Sequence, residues 1–214
     1  IWHTCEPEKV GNEGWLGRAI RDLDPKGENV LTGVNFGRGL PRSLAAPGVP
    51  VASVGNLETY GVLTGIEDEQ REEALDIFSR MYSPATGRGQ VTDYLSHTGM
   101  DALKGADILS TAPEKYSSTV EYGNNSVSQY MRNIAQTHIA DFGTRFLYTT
   151  APYNSFDTHA GQMVGHSALW TDVSAAVRDF QSDLVASDAA DNMTLLVFTE
   201  FVPDADGDGF GDAD

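Results

Sequence analysis

Cysteine is nearly absent. Cys5 stands alone in 214 residues, which excludes an intrachain disulfide framework and a cysteine-ligated metal cluster. Positive charge is scarce as well: Lys and Arg number 14 against 31 Asp and Glu, a formal charge of −17. No basic face can be assembled from so few cations, so nucleic acid is not expected as a partner. Long apolar runs are missing too. Nothing reaches the roughly 18 consecutive apolar residues of a transmembrane helix, and no membrane span is expected.

What is present suffices for one substantial domain. Hydrophobic residues make up 40% and charged residues 21%, the balance of a globular chain long enough to bury a core. The acidic excess suits a strongly hydrated protein of a salty or extracellular setting, and it suits cation binding. The chain opens at Ile1-Trp2-His3 without Met or signal peptide and stops inside an Asp/Gly run. It is read as a fragment of a longer precursor, from which an export signal could have been lost.

Periodicity divides the chain into alternating elements. Trp15, Leu16, Ala19, Ile20 and Leu23 recur at helical spacing until Asp24-Pro25-Lys26-Gly27 stops them. Val30–Phe36 is β-like, with Val30, Val34 and Phe36 on one face, and Val49–Val54 is a second such run. Between them, Gly37-Arg38-Gly39-Leu40-Pro41-Arg42 imitates the start of a phosphate-cradling loop. Its third Gly position holds Arg42 and Pro41 disrupts a helix start, so a turn is the preferred reading. Helices are predicted over Glu67–Tyr82, over Val91–Leu109 with interruptions at Gly99 and Gly105, over Ser126–Ala140, and from about Gln162 to Ala186. Ser117–Asn125 reads as a polar loop. Strands are predicted at Phe146–Thr149 and Leu195–Phe198, which with the helix between them would form a parallel βαβ unit. The alternation makes the class α/β.

Chemistry concentrates after those last two strands. Asp157-Thr158-His159 sets a carboxylate and an imidazole two residues apart, a pair able to bind a divalent ion of the Zn or Mn class from one side. His166 falls on the same face if the helix has begun by His159. Glu200 follows the second strand and could ligate the ion or hold His159 in one tautomer. The alternative is an Asp-containing turn with surface histidines. His97 and Asp101, at i and i+4, could pair on a metal, but a solvated helix face is the simpler reading. His138 lies on an apolar stripe and is read as a packed core histidine. Gly165-His166-Ser167-Ala168-Leu169 resembles a nucleophile elbow, yet it ends in Leu169 and lies within a helix, so it is set aside.

The tail has calcium-loop spacing. Asp204, Asp206, Asp208 and Asp212 stand at loop positions 1, 3, 5 and 9, Gly209 at the sharp turn, and Phe210 where a carbonyl ligates. Loop position 12, where a bidentate carboxylate belongs, would fall after Asp214. A solvated acidic tail is the alternative.

Several runs together carry a family likeness. Glu13-Gly14-Trp15-Leu16-Gly17-Arg18, Gly39-Leu40-Pro41-Arg42-Ser43-Leu44, Ser155-Phe156-Asp157-Thr158-His159-Ala160-Gly161-Gln162 and Phe198-Thr199-Glu200-Phe201 resemble the DUF1501 family. That is a bacterial family of often exported proteins related to sulfatases and the alkaline phosphatase superfamily. The resemblance covers residues 1–201. It implies a doubly wound, mostly parallel α/β sheet of the alkaline phosphatase/sulfatase type, incomplete at both ends, with metal and ester chemistry at the strand carboxyl ends. It marks Asp157 and His159, and secondarily His166 and Glu200, as metal ligands. A nucleophile would be expected before Ile1. After Phe201 the family continues with Gly-Arg and a later Asp-His pair, whereas here Val202-Pro203 opens an acidic tail, 202–214, that resembles a thrombospondin type 3 calcium repeat. The implied activity is metal-dependent hydrolysis of a phosphate or sulfate ester, on a small molecule or polysaccharide. The alternative is an exported, non-catalytic binding or structural protein with calcium repeats.

Overall fold

A computed structural model describes residues 3–6, 8, 11–57, 59–60, 66, 68–82, 89–151, 156 and 162–198. Three strands of four residues form the sheet: β1 (Gly33–Phe36), β2 (Val51–Val54) and β3 (Phe146–Thr149). They pair in the order β2-β1-β3, and both pairings are parallel. Val34 lies level with Ala52 and Leu147, and Phe36 with Val54. Side chains alternate along a strand, so these five share one face, while Asn35, Val51, Ser53, Phe146 and Tyr148 share the other.

Each face has its own cover. The helices α3 (Gln90–Leu109), α4 (Ala112–Lys115) and α5 (Ser126–Ile139) bring Leu109, Ala112, Met131, Ile134 and Ala135 into one cluster with Val34, Phe36 and Val54. On the opposite face α1 (Trp15–Leu23) sets Leu16 and Ile20 with Tyr148, and Val51 and Phe146 pack at their edge. A parallel sheet covered on both faces is α/β, and it explains why β1 is buried at every position. Burying a side chain as large as Phe36, which is fully enclosed, contributes about 1.5–3 kcal/mol.

The predicted helices form with small shifts at their ends. Asp24 stops α1, and its carboxylate accepts the Asn29 and Glu28 N–H groups at 2.9 and 3.0 Å. Those bonds, Asn29 first, hold its carboxyl below the usual range. Helix α2 (Asp68–Tyr82) lies against α3, with the Ser96 hydroxyl donating to the Tyr82 carbonyl and Arg71 facing Asp107 at 3.8 Å. Gly99 and Gly105 do not interrupt α3. The Tyr82 ring lies where a Gly99 Cβ would stand, 2.5 Å from it, so Gly99 is the price of that close packing rather than a break. The short α4 had no periodic signal to announce it.

The predicted βαβ unit is corrected. Helix α6 (Gln162–Ala186) has the predicted span, but it packs chiefly on α5, through Ala176, Phe180 and Leu184 in the core cluster. Leu195–Phe198 is not a strand. Its four side chains are exposed, and only the Phe198 ring reaches the sheet region, 6.2 Å from Tyr148 and 6.4 Å from Trp15. Apolar strand formers give a strand only when a neighbouring edge takes their N–H and C=O groups. With α6 stacked outside α5, the chain does not return to the edge of β3 in register. No helix among the described residues is long and apolar enough to cross a membrane.

Candidate functional site at the carboxyl edge of the sheet

All three strands end on one edge, at Phe36, Val54 and Thr149. That edge is tied together by side chains. The Thr149 hydroxyl donates to the Phe36 carbonyl at 2.9 Å, joining the end of β3 to the end of β1. Buried Asn35 donates through Nδ2 to the Ser53 hydroxyl at 2.8 Å and to the Gly39 carbonyl at 2.9 Å. Ser53 donates to the same Gly39 carbonyl at 2.8 Å. The Gly37–Arg42 run is a turn, as expected, and no helix follows it.

Of the residues singled out as metal ligands, His166 is among those described. It lies near the start of α6, where its Nε2 accepts the Trp170 indole N–H at 2.9 Å. An indole nitrogen only donates, so the His166 proton in the neutral ring resides on Nδ1. The Phe156 ring packs edge-on against both, with centroids 5.6 Å from His166 and 5.3 Å from Trp170. Phe156 immediately precedes Asp157 in the chain, and the trio fixes Phe156 against the start of α6. Asp157, His159 and Glu200 themselves lie outside the described residues, as do Asp204, Asp206, Asp208, Phe210 and Asp212. Among the described residues no group of three or more His, Cys, Asp or Glu is arranged to hold a metal ion.

The other histidines behave as helix and core residues. His97 Nδ1 donates to the Asp93 carbonyl of its own helix at 2.8 Å, and burial raises the Asp101 carboxyl against a smaller opposing effect of His97. His138 bonds through Nε2 to the Ala189 carbonyl at 3.0 Å, pinning the turn after α6 to α5.

Sequence reasoning missed one polar centre. Asp183, on the buried stripe of α6, is fully enclosed and accepts hydrogen bonds from Tyr116 and Ser118 at 2.5 Å and from Tyr122 at 2.9 Å. Burial first, and then the bond to Asp183, push both tyrosine hydroxyls above their ordinary range. An acidic residue flanked by Phe180 and Leu184 on an apolar stripe was the available signal. Three hydroxyls in the loop 116–122 are its complement, and they make that loop a fixed element.

No protein-family model matches the chain, and neither a curated protein nor a solved structure matches it.

Proposed function

We propose that the chain is a sulfatase-like, metal-dependent hydrolase of phosphate or sulfate esters, as its resemblance to the DUF1501 family implies. The supporting observation is the strand order. β1 and β3 are parallel neighbours, and the chain leaves β1 toward β2 on the far side from β3. The crevice at such a switch point, outside the carboxyl ends, is where open α/β sheets take ligands. Asn154–Gln162 follows β3 directly in the chain and carries Asp157 and His159.

A carboxylate oxygen and an imidazole nitrogen are a donor set that fits a divalent ion of the Zn or Mn class. When bound, such an ion supplies an acidified water or polarises an ester oxygen. Asp157 and His159 would hold it, and Glu200 would ligate or orient His159. With its Nε2 occupied by Trp170, His166 would act as support, packing against Phe156.

Metal analysis of the purified chain tests this reading. A bound transition metal should be found and should be lost in Asp157→Ala and His159→Ala. Unchanged metal content in both variants rejects the assignment. Aryl phosphate and aryl sulfate assays on the metal-loaded protein then separate the two ester classes.

A further inference from the structure

The Gly37–Arg42 loop has features that a plain turn does not need. It sits at the carboxyl end of β1, the central strand, and both of its ends are fixed. At one end the Gly39 carbonyl is held by Asn35 and Ser53. At the other, the Ser43 carbonyl accepts the Leu16 and Gly17 N–H groups, and the Ala45 carbonyl accepts that of Gly14. This docking at the start of α1 requires glycine at position 14, because a Cβ there would stand 2.1 Å from the Ser43 oxygen. Gly39 has φ +76°, a conformation in which successive N–H groups can point outward together.

What the fixed loop presents is positive. Arg38, Gly39, Leu40 and Arg42 are exposed. Among the described residues, neither guanidinium has a carboxylate partner, and the N–H groups of Arg38, Gly39 and Leu40 have no acceptor. Among the described arginines, Arg18, Arg21, Arg71, Arg80 and Arg178 each have a carboxylate partner, whereas Arg132 and Arg145, like Arg38 and Arg42, have none; what sets Arg38 and Arg42 apart is their place on one fixed loop. Two arginines left open beside unpaired N–H groups, on a loop held at both ends, are a donor set for a tetrahedral oxyanion.

We propose that the Gly37–Arg42 loop is an oxyanion-binding subsite, taking a phosphate or sulfate group on Arg38, Arg42 and the backbone N–H groups between them. The donor set stands on the loop geometry alone, and only the naming of an ester as ligand rests on the hydrolase reading. In that reading the loop binds the charged end of the substrate at the carboxyl edge of the sheet, the edge from which β3 runs on in sequence toward Asp157.

The test is a titration of the whole chain with inorganic phosphate and, separately, with sulfate, following backbone amide resonances at matched ionic strength against chloride. Saturable shifts should centre on Arg38–Arg42. Arg38→Ala and Arg42→Ala should each weaken binding by roughly tenfold, as expected for loss of one charge-assisted bond. Lysine at either position should recover part of it. Arg145→Ala is the control, since Arg145 lies at the amino end of β3, on the opposite edge. A response to only one of the two anions identifies the ester class. Shifts that chloride reproduces, or that survive in the double Arg38→Ala/Arg42→Ala variant, overturn the proposal. The parent chain, assayed for bound metal and for anion binding together, separates the two readings. Anion binding without any bound metal keeps the loop and removes the hydrolase, whereas bound metal without anion binding does the reverse.

Discussion

Helix α3 is one helix in two surroundings. Its apolar stripe runs from Val91 through Leu95 to Ala106 and Leu109 at constant helical spacing. At the far end Ala106 and Leu109 are 3% and 0% exposed, but Val91 and Leu95 are 74% and 56% exposed. Helix α6 repeats the pattern, with Phe180 and Leu184 buried and Met163 and Trp170 open. The cause is length. A strand of four residues spans about 13 Å, while a helix of 20 residues spans about 30 Å. A sheet this short covers only the ends of the long helices, and α2 lies on a different side of α3. Amphipathic spacing therefore identifies an apolar face without saying what covers it.

The comparison is broken most directly at its closed end. Truncating Phe36, which contacts helices of the main cluster from the centre of the sheet, removes a fully buried ring. Phe36→Ala should cost about 3–5 kcal/mol in urea denaturation. Leu109→Ala, at the covered end of α3, should cost about 2–5 kcal/mol. Values near zero for both would mean that the sheet is not the cooperative core.

The Asp183 centre sharpens the contrast with a polar element. Asp183→Ala leaves three hydroxyls without their shared acceptor, and a loss of about 2–4 kcal/mol is expected. The same centre sets a pH limit. Tyr116 and Tyr122 have hydroxyls raised above their ordinary 10.0, by burial first and by Asp183 second. The folded chain thus holds those protons more tightly than the unfolded one. Their contribution is complete below pH 10 and is lost as pH rises beyond it. Stability measured from pH 8 to 11 should fall above pH 10, and Tyr122→Phe should flatten that fall. An unchanged profile in the variant would show that the alkaline limit arises elsewhere.

Much of this fold was legible in the sequence, for reasons tied to particular residues. The span of α6, the stop at Asp24 and the positions of all three strands follow from spacing and turn chemistry, which are local properties. The strand expected at Leu195–Phe198 was misread because its composition is local but its pairing is not. Asp183 was missed for the same reason, since its partners lie more than 60 residues away in the chain. At the site, the sequence pointed to the residues after Phe146–Thr149 and after Leu195–Phe198, and the second of these runs is not a strand. Sequence reasoning set the Gly37–Arg42 run aside as a turn, because the fixing of that loop depends on contacts from Asn35, Ser53 and α1.

The smallest expected effect lies at the open end of the comparison. Ile77 and Met81 on α2 stand four residues apart, 44% and 68% exposed, on the arc next to the face that meets α3. The antiparallel register set by Tyr82 with Ser96 and by Arg71 with Asp107 brings that arc beside Leu95. All three side chains are exposed in the chain. Met81→Ala or Val91→Thr should change stability by no more than about 0.5 kcal/mol, because little buried contact is removed. The denaturation midpoint and slope should both match the parent. A loss above about 1.5 kcal/mol would mean that this face is covered in solution. Repeating the measurement across a tenfold range of protein concentration would then decide the source. A stability that rises with concentration identifies a second copy of the chain as the cover.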